Sequence, residues 1–377
     1  MASNGDDTRY AFIAEWYDSH AAINRRYQFL FYTKDSTIEM FDIKNRRVFL
    51  KRSKYENISL KDVYIGAIIN VHARQLKIAD YADKFTRNKL ETATAKTYAM
   101  IKPDAVKHTG QILERIQQED FVINQIKKVN VPRSFAMKFY AEHEGKPFFE
   151  KLMSFVTSGP VVAMELVGVD CVKRWRQLIG PTNTQKAKEE APNSLRALFG
   201  TDATRNACHG SDSDESAERE LNLFFGPSSP NVSATFRDCT LAIIKPHAVN
   251  AGQIGPIMTA IEKEGFNIST FKMFRLEKTN TEEFYEIYKG VVNEYSAMVE
   301  ELCNGACVAM EITKGDDVAT TFRDFVGPSD PEIARYLRSH TLRAKFGVDK
   351  IKNSIHCTDL PDDALLEVEY FFQILSS

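Results

Sequence analysis

The sequence predicts an α+β protein in which two tandem ferredoxin-like βαββαβ domains follow a small antiparallel β domain. Three observations carry that prediction. There is a long internal repeat, each copy alternates strand-like with helix-like segments, and a period-two apolar pattern occupies part of the first 91 residues.

The repeat sets the boundaries. Ala99-Met100-Ile101-Lys102-Pro103-Asp104-Ala105-Val106 recurs as Ala242-Ile243-Ile244-Lys245-Pro246-His247-Ala248-Val249, and the segment Gly159–Leu166 recurs as Gly305–Ile312. Leu195-Arg196-Ala197-Leu198-Phe199-Gly200 returns as Leu342-Arg343-Ala344-Lys345-Phe346-Gly347, and Glu220–Phe225 as Glu367–Phe372. The offset drifts only from 143 to 147, so a whole domain is duplicated rather than a short solenoid unit. The expected domains are 1–91, 96–225 and 238–375, with the Pro/Ser-rich stretch Gly226–Asn231 as an exposed linker.

Within the first copy, Tyr98–Ile101 reads as a short buried strand, and Ile112, Leu113 and Ile116 as the apolar face of a helix. Phe121–Val131 is the next strand, followed by helical stretches around Phe135–Tyr140 and Phe148–Phe155. Val161–Leu166 is a third strand, Val169–Leu178 is helical, and Glu215–Phe225 is a helix or a helix-to-strand end. In the first domain Tyr27, Phe29 and Phe31 alternate with Gln28, Leu30 and Tyr32. Lys34-Asp35-Ser36 and Lys44-Asn45-Arg46 supply turns to two further strands, Ile38–Ile43 and Val48–Leu50. The segment Asp80–Ala95 reads as a polar connector.

Composition excludes several classes. Hydrophobic residues at 43% and charged residues at 27% describe a globular chain, and 49 Lys/Arg against 51 Asp/Glu give no global pull toward nucleic acid. No apolar run approaches the length of a membrane span, and the polar N-terminus lacks the order of a signal peptide. Six scattered cysteines without a C-x-x-C pair fit reduced, buried thiols in a cytosolic compartment.

The strongest chemical signal is Asn206-Ala207-Cys208-His209-Gly210-Ser211-Asp212-Ser213. A lone histidine is more often structural, but this string resembles the N-x-x-H-G-S-D-S signature of nucleoside diphosphate kinases, whose other positions occur upstream in order. A neutral imidazole can take up a phosphoryl group and release it, dividing one transfer into two in-line steps. The resemblance implies that His209 is the nucleophile, that Glu220 orients its ring, and that Lys102, Arg176 and Arg196 gather charge from the phosphoryl group. It implies phosphate-binding hydroxyls in Thr182 and Tyr140, a sugar contact in Asn206, and an aromatic platform for the base in Phe148. Gly210 is expected to leave room for phosphate beside the ring, and Ser211 to bond the glutamate or the following helix turn. No Walker A string occurs, and the implied cofactor, Mg²⁺, would ride on the nucleotide rather than on protein ligands. The loop between Thr182 and Arg196 is longer than in typical members, which works against the family's trimer contact and hence its hexamer.

The second copy keeps Lys245, Tyr285, Arg323, Arg343, Asn353, His356 and Glu367, with Ser329 in place of Thr182. Its signature reads Asn353-Ser354-Ile355-His356-Cys357-Thr358-Asp359-Leu360, and Cys357 is expected to crowd the ring. Tyr295 is the nearest candidate for the base platform. Nucleotide binding is expected here, but efficient turnover mainly in the first copy, because in-line transfer tolerates little misplacement.

Before the repeats, Phe12-Ile13-Ala14-Glu15-Trp16-Tyr17-Asp18, Arg25-Arg26-Tyr27 and Phe49-Leu50-Lys51-Arg52 resemble the PH-like DM-10 module of ciliary nucleoside diphosphate kinase homologs. That resemblance implies a protein of the cytoplasm and cytoskeleton, on the axoneme of a cilium or flagellum and at the centrosome or basal body. The implied partners are nucleotides, tubulin of doublet microtubules, other axonemal proteins and centrosomal γ-tubulin complexes, with no membrane and no nucleic acid. Residues 1–95 hold 16 Lys/Arg against 12 Asp/Glu, and Arg46, Arg47, Lys51, Arg52 and Lys54 fall close together. From charge alone a solvated hairpin face is the commoner explanation. Two compatible functions therefore stand: a phosphotransferase making nucleoside triphosphates, and a structural axonemal component with weak or dispensable activity.

Overall fold

The computed structural model describes residues 8–18, 21–55, 58–72, 74–90, 95–232 and 234–376. The acidic N-terminal stretch 1–7 and residues 91–94 of the expected connector lie outside the described residues.

The first domain is an antiparallel sheet of β1 (Arg9–Asp18), β2 (Ile23–Tyr32), β3 (Thr37–Asp42), β4 (Arg47–Lys54), β5 (Ile68–Val71) and β6 (Arg74–Tyr81), in the order β4-β3-β2-β1-β6-β5. It is a PH-like half-barrel, its core formed by Phe12, Tyr27, Phe29, Phe31, Ile38, Met40, Leu76 and Ile78. The alternating residues of β2 face this core as the period-two pattern requires. β1 is hidden from that pattern because its pairing with β6 shifts register between Ile13 and Ala14. The expected connector is in part structured. β6 runs into it, and Lys84–Leu90 forms a helix whose buried Thr86 hydroxyl accepts the Ala11 N–H at 2.8 Å.

Each repeat is a four-stranded antiparallel sheet. The first comprises β7 (Ala95–Ile101), β8 (Val122–Val129), β9 (Val161–Gly168) and β10 (Cys208–Gly210); the second β11 (Cys239–Ile244), β12 (Asn267–Arg275), β13 (Ala306–Thr313) and β14 (Ile355–Cys357). The in-repeat order β10-β7-β9-β8 is that of a ferredoxin-like βαββαβ unit. β9, with seven successive buried residues, is the central strand, and the run Glu215–Phe225 belongs wholly to a helix, Asp214–Phe225. Ser213 caps that helix, its hydroxyl accepting the Ser216 N–H.

The repeats join edge to edge through β8 and β12 into one eight-stranded sheet. Helices Thr109–Gln118 and Ile254–Lys263 cross beside this seam. Glycine is required at the crossing: a Cβ on Gly110 would lie 2.4 Å from the Thr259 nitrogen, and one on Gly255 2.2 Å from the Glu114 nitrogen. Gln117 accepts the Gly255 N–H at 3.0 Å, while Glu262, its counterpart, accepts from the Gly110 backbone. The duplication thus builds an internal pseudo-dimer. The first domain packs on both halves. Gln75 donates to the Leu276 carbonyl at 2.9 Å, Asn70 to the Cys303 carbonyl, and Val167 of β9 enters the β-domain core. All six cysteines are buried and unpaired, and among the described residues no helix is long and apolar enough to cross a membrane.

Candidate active site

The site of the first repeat lies where the short edge strand β10 runs beside β7. His209 is the middle residue of β10, and Glu220 reaches it from the helix Asp214–Phe225. His209 Nε2 lies 3.0 Å from Glu220 Oε2, and the carboxylate takes a second hydrogen bond from Ser211 Oγ at 2.7 Å. A buried carboxylate can only accept, so Nε2 carries the hydrogen and Nδ1 keeps its lone pair. The rings of Tyr98, Phe139 and Tyr140 pack around the imidazole at 5.9, 5.3 and 6.1 Å, which limits its rotation.

The cations converge from three elements. Lys102, at the end of β7, is buried and donates to Asn206 Oδ1 at 2.7 Å. Arg196 is held by the carbonyls of Gly180 (2.7 Å) and Cys208 (3.0 Å), with Thr182 Oγ1 at 3.5 Å. Arg176 is exposed at the rim, on the helix Cys171–Ile179. Burial, and then the neighbouring Arg196, brings the Lys102 ammonium down to about 8. Burial likewise lowers Arg196. Positive groups that depress one another in a partly buried cleft favour an arriving anion. The Tyr140 hydroxyl is buried with no partner among the described residues, so it is a donor without an acceptor. Asn206 donates to the carbonyls of Thr182 (3.0 Å) and Ala203 (3.2 Å), which fixes the rim loop. Phe148, immediately before the helix Phe149–Val156, is 47% exposed, as a stacking platform requires.

Two residues absent from the sequence reading complete the site. Asp104 accepts the Ala207 N–H at 3.0 Å and so holds the left-handed turn (φ 64°) that delivers His209. Trp175 Nε1 donates to the His209 carbonyl at 3.1 Å. Trp175 also corrects the expectation for Gly210. A Cβ there would fall 2.4 Å from Trp175 Cδ1, so the glycine makes room for the indole rather than for phosphate. Asp104 sits in a repeated string and Trp175 in the expected helical stretch Val169–Leu178, but only packing assigns them a task.

Residues 95–229 and 238–375 each match the family described as Nucleoside diphosphate kinase. The chain belongs to the nucleoside diphosphate kinase family. Residues 4–92 match the Nucleoside diphosphate kinase 7 N-terminal PH domain. The chain is 50% identical over 380 residues to Nucleoside diphosphate kinase homolog 7 of Rattus norvegicus, covering 100% of this chain and 96% of the rat protein. Identity and coverage are the same for the Mus musculus homolog. Over 135 residues, 35% of this chain and 95% of the other, it is 46% identical to a nucleoside diphosphate kinase of Aquifex aeolicus (strain VF5).

The second nucleoside diphosphate kinase repeat rebuilds most of the arrangement. His356 Nε2 lies 3.2 Å from Glu367 Oε2, and Thr358 takes the part of Ser211 with a 2.8 Å bond to the same oxygen. Arg343 donates to Gly327 O (2.9 Å) and Ile355 O (3.1 Å), and Asn353 to Ser329 O at 3.0 Å. Tyr285 is buried, and its hydroxyl has no partner among the described residues. Burial, and then Arg343, takes the Lys245 ammonium down to about 7; its Nζ donates to the Ile351 carbonyl at 3.0 Å instead of to the asparagine. His247 replaces Asp104, its Nε2 accepting the Ser354 N–H at 3.1 Å and its Nδ1 lying 2.6 Å from Glu301 Oε1.

Two expectations for this repeat need correction. Cys357 does not crowd the histidine: Phe322 stands where Trp175 stood, and the smaller ring leaves the volume that the cysteine fills in the shared core. Tyr295 is not the platform. It opens the helix Tyr295–Leu302 as Phe149 opens its own, so the position of Phe148 is held by Glu294, a residue that cannot stack.

Proposed function

We propose that the first repeat transfers the terminal phosphoryl group of ATP or another nucleoside triphosphate to a nucleoside diphosphate through a phosphohistidine at His209. The observation that carries this reading is the His209–Glu220 bond, which leaves Nδ1 as the lone-pair atom at a cleft walled by Lys102, Arg176 and Arg196. Nδ1 attacks the γ-phosphorus, the N–P bond forms as the bond to the β-phosphate oxygen breaks, and the diphosphate leaves. The hydrogen stays on Nε2, donated to Glu220 throughout, and the carboxylate stabilises the positive charge that develops on the ring. A different diphosphate then attacks the phosphohistidine by the reverse step. Lys102, Arg196 and the orphaned Tyr140 hydroxyl supply donors to the equatorial oxygens, and Phe148 stacks on any base. The side chains that wall this cleft, Lys102, Arg176 and Arg196, are cations that cannot ligate a metal, so Mg²⁺ would enter with the triphosphate and be held by its phosphate oxygens. When bound it neutralises charge on the β- and γ-phosphates. His209→Ala is expected to remove most phosphate exchange and His356→Ala little. A larger loss from the His356 change would overturn this ranking of the sites.

A second reading, attachment to the microtubules of an axoneme, centrosome or basal body, is favoured by one face of the first domain. The edge strand β4 exposes Val48 and Phe49 beside the exposed Arg46, Arg47 and Lys51. Arg52 of the same cluster is committed to Asp35 at 2.8 Å. An apolar strip with a basic border suits an acidic protein surface such as tubulin. Cosedimentation of the full chain with microtubules tests this. Reversing Arg46, Arg47 and Lys51 to glutamate should release the chain, and unchanged binding would sink the idea.

A further inference from the structure

The second histidine is covered by a contact that the first repeat lacks. Tyr288 stands three residues after Tyr285, where the first repeat has His143 after Tyr140. Its hydroxyl donates to Asp359 Oδ2 at 2.6 Å, and the other oxygen of the same carboxylate pairs with Arg323 at 3.4 Å. Tyr288, Asp359 and Arg323 come from three separate segments: the turn after helix Lys278–Phe284, the loop after β14, and the helix Val318–Val326. Together they span the mouth of the site. In the first repeat His143 instead lies 3.1 Å from Lys146 Nζ, and the exposed Asp212 bonds Ser216, with Arg176 acting on that carboxylate only from longer range and staying at the rim. Access differs accordingly. The His209 side chain is 21% exposed and that of His356 only 7%.

We propose that Tyr288, Asp359 and Arg323 form a latch that closes an otherwise assembled phosphohistidine site at His356. Glu367 and Thr358 orient the ring as Glu220 and Ser211 do, and the Phe322/Cys357 exchange keeps β14 seated. The group withdrawn is Arg323, the counterpart of Arg176, whose guanidinium is paired with an internal carboxylate in place of a phosphate. Asp359 therefore holds the guanidinium that an incoming phosphate would claim. A nucleoside triphosphate must displace it. With Glu294 in place of an aromatic platform, the base gives little stacking energy for doing so. Once the latch opens, His356 Nδ1 attacks the γ-phosphorus of the triphosphate, the N–P bond forms, the bond to the β-phosphate breaks and the nucleoside diphosphate departs. The chemistry is that proposed for His209, applied to a second and separately controlled residue.

The test uses the full chain carrying His209→Ala, so that label can enter only elsewhere. Acid-labile phosphate incorporation from γ-labelled ATP is followed, with His209→Ala/His356→Ala as the blank. Tyr288→Phe removes one hydroxyl, and Asp359→Asn removes the charge that holds Arg323. Each should speed labelling of His356 by about five- to fiftyfold, the scale of one charged hydrogen bond with a half-exposed ion pair. Melting temperatures near that of the parent confirm that the fold persists, and Tyr288→Phe, which deletes a single atom, guards against failure of the other variant. Unchanged or slower labelling in both variants overturns the latch. Labelling of the parent as fast as that of an intact first repeat would also overturn it, as would no label at His356 in any variant. The unmutated chain, labelled in parallel, reports on His209, so a failure of the first-site reading shows separately.

Discussion

Glu220 is buried, contacts the imidazole and accepts from Ser211, so it acts on the ring and not on the nucleotide. Glu220→Gln should lower kcat by about ten- to a thousandfold with little change in nucleotide affinity, because orientation and charge matter most in the transferring state. Rapid-quench measurement of phosphohistidine formation beside equilibrium nucleotide binding separates the two. Lost binding with unchanged turnover would assign Glu220 a different task. Trp175 and Gly210 form a second residue-scale pair, since the indole occupies the space of the missing Cβ. Gly210→Cys alone should cost about 1–3 kcal/mol through overpacking. Adding Trp175→Phe, which copies the second repeat, should recover much of that loss, because adjacent sites are not additive. Thermal or urea unfolding of the two variants decides it, and an uncompensated double variant would refute the pairing.

The helix pair Thr109–Gln118 and Ile254–Lys263 is the element on which the union of the repeats depends, since Gly110 and Gly255 let the backbones meet. Gly255→Leu should push the helices apart and raise hydrogen exchange along β8 and β12 before either repeat unfolds. Exchange unchanged at this seam would show that the sheet alone holds the halves. The same crossing carries a pH signature. Burial pushes the Glu262 carboxyl up to about 7 from its ordinary 4.5. Between those values the folded chain holds a proton that the unfolded chain has lost, so stability falls as pH rises through the window. Glu262→Gln copies its counterpart Gln117 and should flatten this slope. Urea unfolding of parent and variant at about pH 5 and about pH 7.5 gives the comparison.

Across the whole molecule, the seam between β8 and β12 already buries inside one chain the kind of contact that separate subunits make across an interface, and the β domain is packed against both halves. Tethering makes that union effectively intramolecular. The loop between Thr182 and Arg196 folds as the helix Thr184–Glu190, and its counterpart as Pro331–Leu337. Light scattering should therefore report a monomer of 42.8 kDa or a weak dimer. A stable hexamer would show that these helices and the β domain leave the trimer contact open.

The sequence by itself determined the duplication, the strand-helix order and the group of His209, Glu220, Lys102, Arg196 and Asn206. These are carried by unbroken strings and by periodicities that local chemistry imposes. β1 stayed hidden because a bulge breaks its alternation, and the helix Lys84–Leu90 because a short polar helix gains its stability from contacts such as that of Thr86. Tertiary structure alone decided the rest. Why Gly210 must be glycine depends on an indole 35 residues earlier, and why Cys357 is tolerated depends on Phe322 in the same relation. That the two repeats share one sheet, and that Tyr288 reaches Asp359 across 71 residues to close over His356, are likewise long-range facts. No local pattern encodes which side chain fills the space beside another, because that is settled by packing between segments distant along the chain.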